Sequence, residues 1–70
     1  MAAVVVVHRP SAGGGRTVTV HAVPLGLAHS DADVIEFLRR AGLENAEDLV
    51  LGDSPHIEWR GAPAHEYAAG

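Results

Sequence analysis

The sequence predicts a small α+β domain with one helix packed on a three- or four-stranded, mainly antiparallel sheet. Three observations carry this expectation. Valines fill positions 4–7 and an alternating segment follows at 17–22, the two separated by Pro-Ser-Ala-Gly-Gly-Gly at 10–15. A capped amphipathic stretch occupies 31–41, and a second β-type segment occupies 56–60. The element order is therefore β-β-α-β within one domain spanning 1–70, with a further short strand at 64–67 as an option.

The valine run is β-branched and lies too close to Pro10 for a long helix. A continuous apolar run suits a strand covered on both faces, which makes this the inner strand. In the next strand Thr17, Thr19 and His21 share one face and Val18, Val20 and Ala22 the other. The turn-rich residues between the two strands make them a hairpin. With the loop at 10–15, Arg9 stands opposite Arg16, His8 opposite Thr17, and Val4 opposite His21.

The helix carries its own start and stop. Ser30 is a good N-cap, Asp31 and Asp33 complement the dipole in the first turn, and Ser30 and Asp33 have capping-box spacing. Val34, Phe37, Leu38 and Ala41 then recur at i, i+3, i+4 and i+7, with Ile35 widening the stripe. Arg39 and Arg40 close the last turn, and Gly42 is placed for a left-handed C-cap with Leu43 packing back. A short second helix over 44–48 runs into Leu49, Val50 and Leu51, and Gly-Asp-Ser-Pro at 52–55 forms a turn. The strand at 56–60 points Ile57 and Trp59 one way and His56 and Glu58 the other; Gly61, Ala62 and Pro63 reverse the chain, and the tail at 68–70 is expected to fray. A right-handed crossover leaving the second strand makes the last strand parallel to it, with the first strand between them.

Size and charge narrow the function. A chain of 70 residues without cysteine has neither a disulfide nor a thiolate site to reinforce it. Domains of this size draw only about 3–5 kcal/mol from one core. Phe37, Trp59 and Tyr67 are the only aromatics and are each expected to anchor it. The net charge is −4, and the five cations, all arginine (Arg9, Arg16, Arg39, Arg40, Arg60), form no stripe. A nucleic-acid partner is therefore not expected. The absence of lysine beside abundant Ala, Val, Gly and Arg reads as a high-GC coding bias. The apolar stretch 2–7 has no positive region before it and falls far short of a membrane span. A cytoplasmic protein without a membrane partner is the expectation.

Five histidines are the one compositional hint of chemistry. His8 and His21 are four residues apart along the first hairpin, about 13 Å, too far to share a metal. His29 precedes the helix cap and has no ligand partner in the sequence. With Gly61-Ala62 as a turn, Glu58 faces His65 and His56 faces Tyr67, so His56, Glu58 and His65 are the candidate metal ligands, zinc the candidate cofactor. The same set suits general acid–base work, with Glu58 orienting His65. The plainer alternative is a solvated face bearing one Glu–His pair. Gly13, Gly14 and Gly15 before Arg16 have the makings of an anion nest, but no helix follows, so there is no P-loop or dinucleotide fingerprint.

No catalytic residues are assigned. Ser11, Ser30 and Ser54 belong to a loop, a cap and a turn, and a chain this small rarely encloses a pocket of about 300–1,000 Å³. The expected function is a small non-enzymatic interaction module that self-associates, as a homodimer for example, or docks on a protein partner by strand addition at a sheet edge. The alternative is a metal-binding protein using His56, Glu58 and His65.

Overall fold

The computed structural model describes residues 4–68. Ala2 and Ala3 of the apolar stretch, and Ala69 and Gly70 of the tail, lie outside them. Six elements follow in order: β1 (Val5–Pro10), β2 (Arg16–Val20), β3 (Val23–Ala28), α1 (Asp31–Arg40), α2 (Ala46–Leu51) and β4 (Ile57–Trp59). The sheet is four-stranded and mixed, in the order β3-β2-β1-β4, and the fold is α+β as expected.

The first hairpin takes the expected register over Val5–Val7, but beside the loop the expected pairing of Arg9 with Arg16 does not form. Val5 pairs with Val20, Val6 with Thr19 and Val7 with Val18, and a bulge between Val7 and Pro10 shifts the pairing so that Pro10 faces Arg16. Beyond Val20 the expectation fails. His21 and Ala22 both have positive φ, 50° and 66°, and turn the chain into β3, which pairs antiparallel with β2. Two central residues with φ above zero are the signature of a tight two-residue hairpin, a turn that usually carries Asn or Gly. Neither is present, and Pro24 and Gly26 further disguise the strand that follows.

The extra strand also corrects the crossover. Because β3 reverses the chain once more, the helices connect β3 to β4, and β4 runs parallel to β1 instead of β2. β1 does lie between β2 and the last strand. The further strand expected at 64–67 does not form; the fourth strand comes from Val23–Ala28.

Helix α1 starts and stops where its sequence says. Ser30 Oγ accepts from the Asp33 amide at 3.3 Å, and Asp33 accepts from the His29 amide at 2.9 Å. At the other end the Leu43 amide donates to Leu38 O and the Gly42 amide to Arg39 O, both at 3.0 Å, the two bonds of a Schellman motif, with Gly42 at φ +95°. Val34 and Leu38 of α1 and Ala46 and Val50 of α2 meet Val5, Val7, Val18, Ala28 and Ile57 in one buried core. Phe37, Trp59 and Tyr67 are half-buried around it. The helices thus roof one face of the sheet, and the core lies between that face and them.

Candidate functional site

Among the described residues, the opposite face of the sheet carries no helix. Strand alternation puts Val6 and His8 there, beside Thr19, and these with Val4, His21, Ala22 and Arg60 line an open depression of about 520 Å³. Val4 and Val6 are half-buried there, and Val4, just before β1, also packs against the core on the helical side. His8 Nε2 lies 3.1 Å from Thr19 Oγ1, which fixes the ring against the sheet. The one carboxylate among the strand residues, Glu58, is bound by Arg60. That hydrogen bond holds the Glu58 carboxyl below its usual range and raises Arg60.

A second arrangement closes one end of the covered face. Residues 60–67 form no regular ladder, so their carbonyls need donors from elsewhere. Arg16 supplies them. Its side chain is fully buried; it donates to His8 O at 2.7 Å, Arg60 O at 2.8 Å, and Pro63 O and Glu66 O at 2.9 Å each. Its planar fork of five N–H groups suits this task where a lysine ammonium does not. The guanidinium also lies 5.3 Å from the centroid of the Trp59 ring, within cation–π range. Burial lowers the Arg16 pKa, opposed by the nearby Tyr67 and Glu66.

The same segment is pinned from outside by acidic groups. His65 Nδ1 meets Asp31 Oδ2 at 2.8 Å and its Nε2 meets Asp53 Oδ1 at 2.5 Å. Donation from both nitrogens requires the imidazolium, and the hydrogen bonds to Asp53 and then Asp31 raise the His65 pKa. Asp31 accepts on its other oxygen from the Tyr67 hydroxyl at 2.5 Å. Burial first, then that bond, raises the tyrosine pKa well above its ordinary value. Trp59 packs against His65 and Tyr67 with ring centroids 5.1 and 6.3 Å away.

The three candidate ligands therefore lie in different surroundings. His56 borders a separate shallow depression beside Val4, Leu43 and Leu49; Glu58 is paired with Arg60; His65 is held by Asp31 and Asp53. Among the described residues, no three His, Asp or Glu side chains are grouped to hold a metal ion. In the glycine loop, the Gly14 amide donates to Ser11 O and the Gly15 amide to Tyr67 O, so two of the nest's donors serve the fold. Sequence reasoning missed Arg16 as the organiser of the C-terminal segment, and Asp31 and Asp53 as partners of His65. Asp31 already had a sufficient reason in the helix dipole, and none of these pairs has a diagnostic spacing.

No helix among the described residues is long and apolar enough to cross a membrane. No protein-family model matches the chain, and comparison with curated proteins and with solved structures finds no significant match.

Proposed function

We propose that the protein is a small non-enzymatic interaction module that docks on another protein chain through the open face of its sheet. One observation carries the reading. β1 bears valine on both faces, as a doubly covered strand does, yet the helices cover only one of them. A one-sided antiparallel sheet ordinarily alternates apolar with polar residues, and Val6, with Val4 just before the strand, breaks that rule on the open face. A second layer supplied by a partner would complete their burial.

The sheet edges are less suited to docking than the face. β3 contains Pro24, which has no N–H to offer, and a register shift between Val18 and Thr19 disturbs its pairing with β2. β4 is three residues long. Strand addition therefore has little template to work with.

The reading is tested by placing a photo-crosslinking phenylalanine analogue at Val6, on the open face, and separately at Leu51, exposed on the helical side. Protein adducts formed in the native cell at position 6 and not at position 51 are expected. No adduct at position 6, or equal yields at both positions, overturns it.

A further inference from the structure

The C-terminal segment is fastened at two places that differ in kind. Over residues 60–63 the anchor is Arg16, with Nε on His8 O, Nη2 on Arg60 O and Nη1 on Pro63 O, and the Arg60 amide donates to Val7 O at 2.9 Å. Over residues 64–67 two side chains converge on one carboxylate. His65 Nδ1 lies on Asp31 Oδ2 and the Tyr67 hydroxyl on Asp31 Oδ1, while His65 Nε2 reaches Asp53. Among the described residues, two backbone acceptors complete the hold: Glu66 O takes a bond from Arg16 Nη1, and Tyr67 O takes one from the Gly15 amide. Releasing residues 64–67 therefore leaves each nitrogen of the buried guanidinium with a carbonyl partner, and that charge is not stranded.

This second clasp depends on a proton. An imidazole donates from both nitrogens only as the imidazolium; once neutral, it turns a lone pair toward Asp31 or Asp53 and one contact becomes repulsive. The surrounding elements supply carboxylates: Asp31 of α1 and Asp53 after α2 face the ring, Asp33 of α1 acts on Tyr67, and Glu66 lies on the segment itself. From β4 comes the uncharged Trp59 ring, from β2 Arg16 on the Tyr67 side, and a second histidine, His29, packs its ring against Gly15. The bonds to Asp53 and then Asp31 raise the His65 pKa, so the clasp is complete below about 6.5 and is lost as pH rises through the raised value. His65 also has φ +68° without being glycine, a backbone that release relaxes. On this geometry we propose that residues 64–67 form a pH-sensitive strap over one end of the core. With His65 protonated the strap is fastened to Asp31 and Asp53; with His65 neutral it opens locally and bares Trp59, while Arg16 keeps residues 60–63 in place. The strap lies on the covered side of the sheet and does not rest on the docking reading.

The Gly15 amide, bonded to Tyr67 O, reports the strap. Its solvent exchange is followed by NMR on the full isotope-labelled chain, in low urea and from about pH 6 to about pH 8, corrected for the intrinsic pH dependence of exchange. Gly15 is expected to exchange through a local opening that low urea hardly changes, unlike the amides of the buried residues Val18 and Leu38, which follow global unfolding. That opening should become about two- to fivefold more populated across the pH range. His65→Gln should remove the rise and His29→Gln should keep it. Tyr67→Phe, which loses a bond to Asp31, should speed Gly15 exchange at every pH and also keep the rise. Gly15 sharing the urea dependence of Val18 overturns the strap, because the segment then leaves only with the whole fold. No rise in the wild type, a rise that persists in His65→Gln, or one that disappears in His29→Gln overturns His65 as its clasp.

Discussion

The first hairpin and the C-terminal segment are built by opposite means. In β1 and β2, alternation, loop length and one apolar face set the register, and every pair from Val5–Val20 to Val7–Val18 joins near neighbours in the chain. Residues 60–67 have no such periodicity, and their place is set by side chains made much earlier, Arg16 and Asp31. The hairpin would keep its geometry with many sequences of the same pattern. The segment depends on a few particular groups, and losing one leaves carbonyls or a charge without a partner. Local patterning tolerates substitution, whereas a long-range hub does not.

The strongest way to break this contrast is at Arg16. Arg16→Met leaves the carbonyls of Arg60, Pro63 and Glu66 without their buried donor. Each buried acceptor left without a donor costs about 1–3 kcal/mol, so losing several together is comparable to the whole stability of a domain this small. Urea titration followed by Trp59 fluorescence should find the variant largely unfolded; a midpoint within experimental error of wild type would refute the hub. Arg16→Lys should recover only part of the loss.

A smaller effect is expected at Gly61, where the segment turns at φ +77° and a Cβ would come within 2.5 Å of Arg9 Cβ. Gly61→Ala should lower stability by about 1–3 kcal/mol, read as a fall in melting temperature. In the locally coded part of the chain, Ser30→Ala removes the α1 cap bond and should cost about 1 kcal/mol. Its distinguishing feature is that the ring-shifted proton signals of Trp59 and Tyr67 stay in place, whereas Gly61→Ala moves them.

The smallest effect is the pH dependence of the His65 pair. A histidine whose pKa is raised on folding stabilises the fold fully below its unfolded value of about 6.5, and that contribution is lost as pH rises through the folded value. Wild-type stability should therefore fall on going upward from about pH 6.5, by less than about 1 kcal/mol for so exposed a pair. In His65→Gln that component of the slope should vanish. An identical slope in the two proteins would show that His65 does not hold the segment through its charge.

What could be read beforehand follows the same division. Ser30, Asp33, Gly42 and Leu43 announced both ends of α1 because caps are local chemistry; the loop at 10–15 gave the pairing of Val5–Val7 but not the bulge that sets Pro10, in place of Arg9, opposite Arg16. β3 was hidden because His21 and Ala22 adopt left-handed backbone without being glycine or asparagine, and Pro24 and Gly26 resemble loop residues. Missing one strand inverted the predicted direction of β4, since each reversal flips the sense of the crossover. The valine run of β1 was read as covered on both faces; the helices cover one, and this mismatch pointed to the open face. The surroundings of His56, Glu58 and His65 were illegible for a different reason: they depend on Arg60, Asp31 and Asp53, which only the assembled fold brings into place.

The buried guanidinium also bears on the order in which this protein comes together during synthesis. Arg16 is made 44 residues before Arg60 and 50 before Glu66, whose carbonyls it binds. Until those residues are made, the first hairpin carries a cation on its interior face with His8 O but without the carbonyls of Arg60, Pro63 and Glu66, and drying that face would bury an under-partnered charge.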